Sequence, residues 1–185
     1  MNLWHQVGSS RMVIRAESMD EAGAGLGAAL AIGPKVRTIW LLFDPTSNEV
    51  TPWLESAKAA SPEIRGLMVQ SFFARVLSKA GYDIAVGREL DIFARCRVRS
   101  LFIEVKSSLA GGKFGSQAEL SQLDGYLIAC QRNGAERWLG TMGIIKPMNL
   151  HDTFRTAMRR MNIGLIDIRW ISEKETLLPH LSSVP

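Results

Sequence analysis

Asp91, Glu104 and Lys106 stand in two short segments, Gly87-Arg-Glu-Leu-Asp91-Ile-Phe-Ala and Leu101-Phe-Ile-Glu104-Val-Lys106-Ser-Ser. Two carboxylates can hold a hard divalent cation, and an amine beside them can serve a reacting anion. In an extended strand alternate residues share a face. Leu101, Ile103 and Val105 therefore point one way, and Glu104 and Lys106 the other. On the preceding strand Leu90 and Ile92 point into the core and Asp91 faces away from them. An antiparallel hairpin turning near Arg97-Val98 would set Asp91 opposite or diagonal to Glu104, with Cβ atoms roughly 5 to 8 Å apart. Such a pair suits Mg²⁺, with Mn²⁺ as a substitute. A cation there would generate hydroxide and neutralise charge on a phosphoryl group. Lys106 would orient the attacking water or stabilise the developing anion. A lone Glu-x-Lys is more often an ion pair on an edge strand, so only the combination carries weight.

Other side chains add to it. Gln122 and Tyr126 lie one helical turn apart and so share a face. Arg88, Arg95, Arg97 and Arg99 surround the hairpin, and Arg155, Arg159 and Arg160 sit on a later helix. Arginine in such places contacts phosphates and holds a duplex in register; a solvated face is the plain alternative for both groups. Lys113, in a glycine-rich loop, is placed to close over a substrate, or simply to lie on a flexible connection. Gly23-Ala-Gly25-Leu-Gly27 does not have dinucleotide-loop spacing and reads as a helix with small residues for close packing. Gly111-Gly-Lys113 lacks the Ser or Thr of a phosphate-binding P-loop, and the three histidines and two cysteines lack zinc-ligand spacing.

The elements that must position these residues follow from local pattern. Residues 11 to 16 read as a strand. Ser18-Met-Asp-Glu21 is a capping box that opens a helix to about Ile32, where Gly33-Pro34 stops it. Val36 to Phe43 reads as a buried strand, followed by a turn and a weakly structured stretch to Ser61. Ser61-Pro62 starts a helix whose apolar face is Leu67, Phe72, Phe73, Val76 and Leu77, and Gly81 ends it. Tyr82 to Val86, Arg88 to Arg95 and Ser100 to Lys106 read as strands, and Ser107 to Gly115, with three glycines, as a mobile loop. Ser116-Gln-Ala-Glu119 is a second capping box, opening a helix to Asn133-Gly134. A strand over Trp138 to Ile145, a helix over Leu150 to Met161 and a strand over Gly164 to Ile171 complete the chain.

The chain has 185 residues, of which 46% are apolar and 22% charged, which suits an ordinary globular fold and excludes wholesale disorder. Its longest strongly apolar run, Ile39 to Phe43, is too short to span a bilayer. The expectation is a cytoplasmic protein with no membrane partner and reduced cysteines. The net charge of +4 is compatible with a nucleic-acid partner and equally with a mildly basic surface.

In order and spacing, the helix, the hairpin bearing Asp91, the Ile-Glu104-Val-Lys106 strand and the helix bearing Gln122 and Tyr126 resemble the PD-(D/E)XK nuclease superfamily. The chain particularly resembles the branch of RecB-type nuclease domains and, more loosely, archaeal Holliday-junction resolvases, over roughly residues 62 to 145. The resemblance implies an α/β restriction-endonuclease-like core, a central mixed sheet flanked by helices, over residues 61–185 with a C-terminal helix-strand extension. Residues 1–60 would form a small α/β accessory unit. It implies that Asp91, Glu104 and the Val105 carbonyl bind the metal and that Lys106 is the catalytic lysine. Gln122 and Tyr126 would position that lysine or the DNA backbone. One departure stands out: the family's glutamate on the first helix is here Gln70, which can hydrogen-bond a metal-bound water but adds no charge. The expected function is a Mg²⁺-dependent deoxyribonuclease in repair, recombination or defence, including restriction. The alternatives are a catalytically impaired nuclease-fold module that binds nucleic acid, and a subunit whose N-terminal unit docks a protein partner. Cutting both strands with one site per chain would favour a homodimer.

Overall fold

A computed structural model describes residues 4–6, 10–44, 46–87, 91–116, 118–119, 121 and 134–171. Its organising element is β6 (Ser100–Ser108), whose Leu101 and Ile103 are buried on one face. It pairs antiparallel with β5 (Ile92–Arg95) in the register Ile92↔Ile103 to Arg95↔Ser100. The turn between them bends at residues 97–98 and closes with Cys96 N–H donating to the Arg99 carbonyl at 2.8 Å. β4 (Asp83–Ala85) pairs antiparallel with β5 and forms one edge. On its other side β6 runs parallel to β8 (Glu136–Gly143), which is parallel to β10 (Gly164–Trp170). Parallel pairing then continues through β3 (Thr38–Phe43) to β2 (Arg11–Ala16), and β1 (Trp4–Gln6) closes the far edge antiparallel. The described residues thus form an eight-stranded mixed sheet, ordered β1-β2-β3-β10-β8-β6-β5-β4. Strands from residues 4–43 and from residues 83–170 share its hydrogen bonding.

Three helices build the larger core against one face. α1 (Met19–Ala31) is capped by Ser18, whose Oγ accepts the Glu21 N–H at 3.2 Å. α3 (Pro62–Lys79) is capped by the Ser61 hydroxyl, and past its end Gly81 takes a positive φ of 88°. The two helices approach closely because α1 carries glycine: a Cβ at Gly23 would lie 2.3 Å from that of Lys79. On α3, Val69, Phe72, Phe73, Val76 and Leu77 are buried, whereas Leu67 is exposed. Leu67 lies on the wrong side of the helix, and Val69 fills the core position instead. The stretch before Ser61 is not weakly structured. It contains α2 (Thr51–Ala59), with Val50, Leu54 and Ala57 buried at helical spacing.

The opposite face carries α4 (Asp152–Arg160), whose Phe154 and Met158 pack with Leu139, Phe114, Met148 and Ile163. Part of the glycine-rich loop is fixed here too. β7 (Gly112–Phe114) pairs parallel with β9 (Met148–Leu150), and Phe114 meets Phe154 edge-on at 5.1 Å. A sheet covered on both faces explains why its central strands read as nearly continuous apolar runs. This mixed α/β architecture, helices on either side of a central sheet, is compatible with a restriction-endonuclease-like core. No helix among the described residues is long and apolar enough to cross a membrane.

Candidate active site

Continuing the β5–β6 register one residue beyond Ile92↔Ile103 sets Asp91 across from Glu104. Asp91 precedes β5, half-buried, and its Oδ2 accepts the Val105 N–H at 2.7 Å. That bond ties the carboxylate to the strand carrying Glu104 and Lys106. Its main chain is held as well: Gln70 Nε2, from α3, donates to the Asp91 carbonyl at 2.7 Å. Gln70 therefore reaches the site through its amide nitrogen, as a brace on the aspartate.

Glu104 is buried, with only 7% of its side chain exposed, beside Leu139 in register on β8. Its Oε1 lies 2.7 Å from the Lys106 Nζ. The two residues are two apart on one strand, so the pleat puts them on the same face. Lys106 is the more exposed partner, at 25%. Alternation fails in one respect: Phe102, on the face of Glu104, is also buried, packed against the Phe93 ring of β5 at 4.8 Å between centres.

Glu119 joins this group, and its role was legible only as half of a capping box. Its Oε2 accepts the N–H groups of Gly115 and Ser116 at 2.8 and 2.6 Å, while the Ser116 Oγ accepts its own N–H at 3.4 Å. Burial pushes its carboxyl up, but those hydrogen bonds and the Lys106 charge outweigh burial and hold it below the usual range. Lys106 thus lies in the field of a second carboxylate.

The arginines are placed differently. Arg95, Arg97 and Arg99 cluster at the turn end of the hairpin. They are four or more strand residues from Glu104, on the order of 13 Å. Arg99 donates through Nε and Nη2 to both oxygens of Glu136, the second bond at 2.7 Å, and through Nη1 to the Leu30 carbonyl. Its guanidinium is engaged within the fold. Lys113 is exposed on β7. Arg88, Gln122 and Tyr126 lie outside the described residues.

No group of three or more His, Cys, Asp and Glu side chains able to hold a metal occurs among the described residues. The donors brought together are the Asp91 and Glu104 carboxylates and the intervening main chain at Val105. This set is all oxygen and two-fold negative, as a hard cation that keeps several waters requires.

No protein-family model matches the chain, and no curated protein matches it. Solved structures are similar to it at a low level, among them the following two. One is the crystal structure of a protein of unknown function, AF1548, with 19% identity over 62% of this chain and a TM-score of 0.39. The other is Pyrococcus furiosus SfsA in complex with Ca²⁺, with 14% identity over 58% of this chain and a TM-score of 0.39. The matches span 64% and 59% of those chains, less than two thirds of either.

Proposed function

We propose that this chain is a metal-dependent nuclease that hydrolyses phosphodiester bonds of DNA. The observation that carries the reading is the register of the hairpin, which sets Asp91 across from Glu104 with Lys106 on the face of Glu104. In this reading Asp91, Glu104 and the Val105 carbonyl hold Mg²⁺, or Mn²⁺ in its place. The bound ion would lower the pKa of a water and polarise a phosphoryl oxygen. The chain's own residues do the rest. Lys106, on the same face as Glu104 and paired with it, would supply an ammonium to the scissile phosphate. Gln70 fixes the Asp91 backbone so that its carboxylate does not swing away. Burial of Glu104 beside Leu139 and Phe102 lowers the local dielectric and strengthens each charge interaction at the site. Glu119 adds a second negative charge to the surroundings of Lys106. One such site per chain cuts one strand, so cleavage of both calls for two copies.

A second reading has its own support. With glutamine at position 70 and Glu104 paired to Lys106, the site has less negative charge for a cation than two carboxylates and a third acid would give. A module that binds nucleic acid without cutting it fits that arrangement.

A gel assay separates the two. Purified protein is incubated with linear, circular and branched DNA in Mg²⁺, Mn²⁺ or EDTA. Wild type should cut in one of the two metals and not in EDTA. Lys106→Ala should lose about a hundredfold or more in rate while its thermal unfolding shifts little, and Glu104→Ala should lose metal binding and cleavage together. A wild type that cuts nothing in either metal, yet binds DNA as tightly as both variants, overturns the nuclease in favour of the binding module.

A further inference from the structure

The two-stranded β7–β9 ribbon walls one side of the face that carries Glu104 and Lys106. Leu139, in register with Glu104 on β8, packs with Phe114 of β7 and Met148 of β9. Alternation on β7 turns Phe114 into that contact and Lys113 away from it, and Lys113 is exposed. The chain that follows β8 completes the wall. The β6–β8 ladder runs on past Gly143, with Ile144 N–H donating to the Ser108 carbonyl at 2.8 Å and Ile145 N–H to the Leu109 carbonyl at 2.9 Å. The chain then folds back, and a Cβ at Gly143 would lie 1.9 Å from the Lys146 carbonyl oxygen. This returns Lys146 to the level of Gly143, which is in register with Ser108. That level is two residues past Lys106, about 7 Å by strand rise.

The wall is fixed main chain. Gly111, at a φ of 75°, backs onto the same turn, where a Cβ would lie 3.0 Å from that of Lys146 and 2.9 Å from the Pro147 carbonyl oxygen. The Ser108 hydroxyl donates to the Gly111 carbonyl at 2.7 Å. Strand pairing and glycine contacts thus hold Lys113 and Lys146 beside the strand of Lys106. Both are exposed, and neither is ion-paired among the described residues. Residues 109–114 and 144–151 contain no Asp or Glu, so nothing on the wall itself offsets their charge. Ile145, next to Lys146, is 56% exposed. Lysines of one sign along a fixed wall suit a polyanion that passes the site, and an exposed apolar side chain among them suits the sugars between its phosphates.

We propose that the β7–β9 wall carries the sugar–phosphate backbone of DNA, with Lys113 and Lys146 each on a phosphate and Ile145 against a sugar. The inference rests on DNA as the partner, as argued above, and holds whether or not Asp91, Glu104 and Lys106 cut it. About 7 Å of wall corresponds to two nucleotide steps of about 3.4 Å, so the contacted phosphates are near neighbours of the one at Lys106. The DNA then crosses the carboxyl ends of β6 and β8. Arg95 and Arg97, at the turn ahead of β6, lie at the opposite end of that strand.

Fluorescence anisotropy of a short labelled duplex, titrated with the full chain in EDTA across a salt series, tests the wall without cleavage. Lys113→Ala and Lys146→Ala should each lower the slope of log affinity against log salt by about one unit, and the double variant by about two. Each single change should weaken binding by about fivefold or more at about 0.1 M salt. Lys146→Arg should keep the wild-type slope. Lys35→Glu, on exposed chain ahead of β3 at the amino end of the parallel strands, should bind as wild type does. Melting temperatures show that each variant has folded. Lysine variants with wild-type slope and affinity overturn the wall and leave the nuclease standing. So does an equal loss in Lys35→Glu, which would make the attraction one of net charge, or a larger loss in Arg97→Glu, which would put the DNA at the turn end. A wild type that binds no DNA at any salt overturns the wall and the nuclease together.

Discussion

Gln70 makes the sharpest demand at the scale of single residues, because its amide nitrogen, and not its oxygen, faces Asp91. A carboxylate at that position cannot donate to the Asp91 carbonyl, and it would set a negative charge against a carbonyl oxygen. Gln70→Glu should therefore lower stability in EDTA by about 1 kcal/mol, the usual worth of one lost hydrogen bond. With a cation between Asp91 and Glu104 the sign reverses, since the added charge sits beside a positive centre. Mg²⁺ should thus raise the melting temperature of Gln70→Glu by more than it raises that of wild type. Equal metal-induced shifts in the two proteins would show that position 70 lies out of reach of any bound ion. At this same scale the pairing of Asp91 with Glu104 was legible from alternation on two adjacent apolar strands. The nearness of Glu119 to Lys106 was not, because it depends on how the chain returns after β7.

At the scale of elements, β8 and β10 meet where Gly164 lies in register with Trp138. A Cβ at Gly164 would fall 2.4 Å from the Trp138 ring, and Trp138 is fully buried. The indole cannot easily retreat, since the Arg37 guanidinium stacks on it 4.9 Å from the ring centre. Gly164→Ala should cost about 1–3 kcal/mol, the range for overpacking a filled core. In urea its unfolding midpoint should fall with the slope unchanged. An unchanged midpoint would mean that the strands slide apart freely at this point. Elements with strong local signals were legible: α1 and α3 from their serine caps and apolar faces, β6 and β8 from their apolar runs. α2 was missed because its apolar ladder is only Val50, Leu54 and Ala57 around an early proline. β7 and β9 were missed because three-residue strands acquire meaning only from a partner far along the chain. The cavity between the sheet and α4 had no sequence signature either, since its lining arrives from six elements, β2, β3, β8, β9, β10 and α4.

For the whole molecule, the starts of three neighbouring structures are tied through one carboxylate. Glu136, at the start of β8, pairs with Arg37 ahead of β3 and with Arg99 ahead of β6. Burial pushes the Glu136 carboxyl up, but the Arg99 and Arg37 guanidiniums outweigh it and hold the group below its ordinary 4.5. A carboxyl depressed in the fold gives stability that is fully present above its unfolded value and is lost as pH falls through the folded one. Asp167 behaves in the opposite sense. Burial pushes its carboxyl above the ordinary 3.8, only partly offset by Arg169 and Thr141. The fold therefore holds that proton more tightly than the unfolded chain does, and stability falls as pH rises through the raised value. Urea unfolding across a pH series distinguishes the two. Glu136→Gln should be less stable than wild type near neutrality by about 1–3 kcal/mol, below the usual cost of breaking a fully buried pair because this one stays partly exposed. The gap should narrow as pH drops below about 4.5, since protonation removes the same charge from wild type. Asp167→Asn should instead match wild type in acid and gain on it toward neutrality, because the amide has no proton to release. A gap between Glu136→Gln and wild type that stays constant down the acid limb would mean that the Arg37–Glu136–Arg99 link contributes through shape and not through charge.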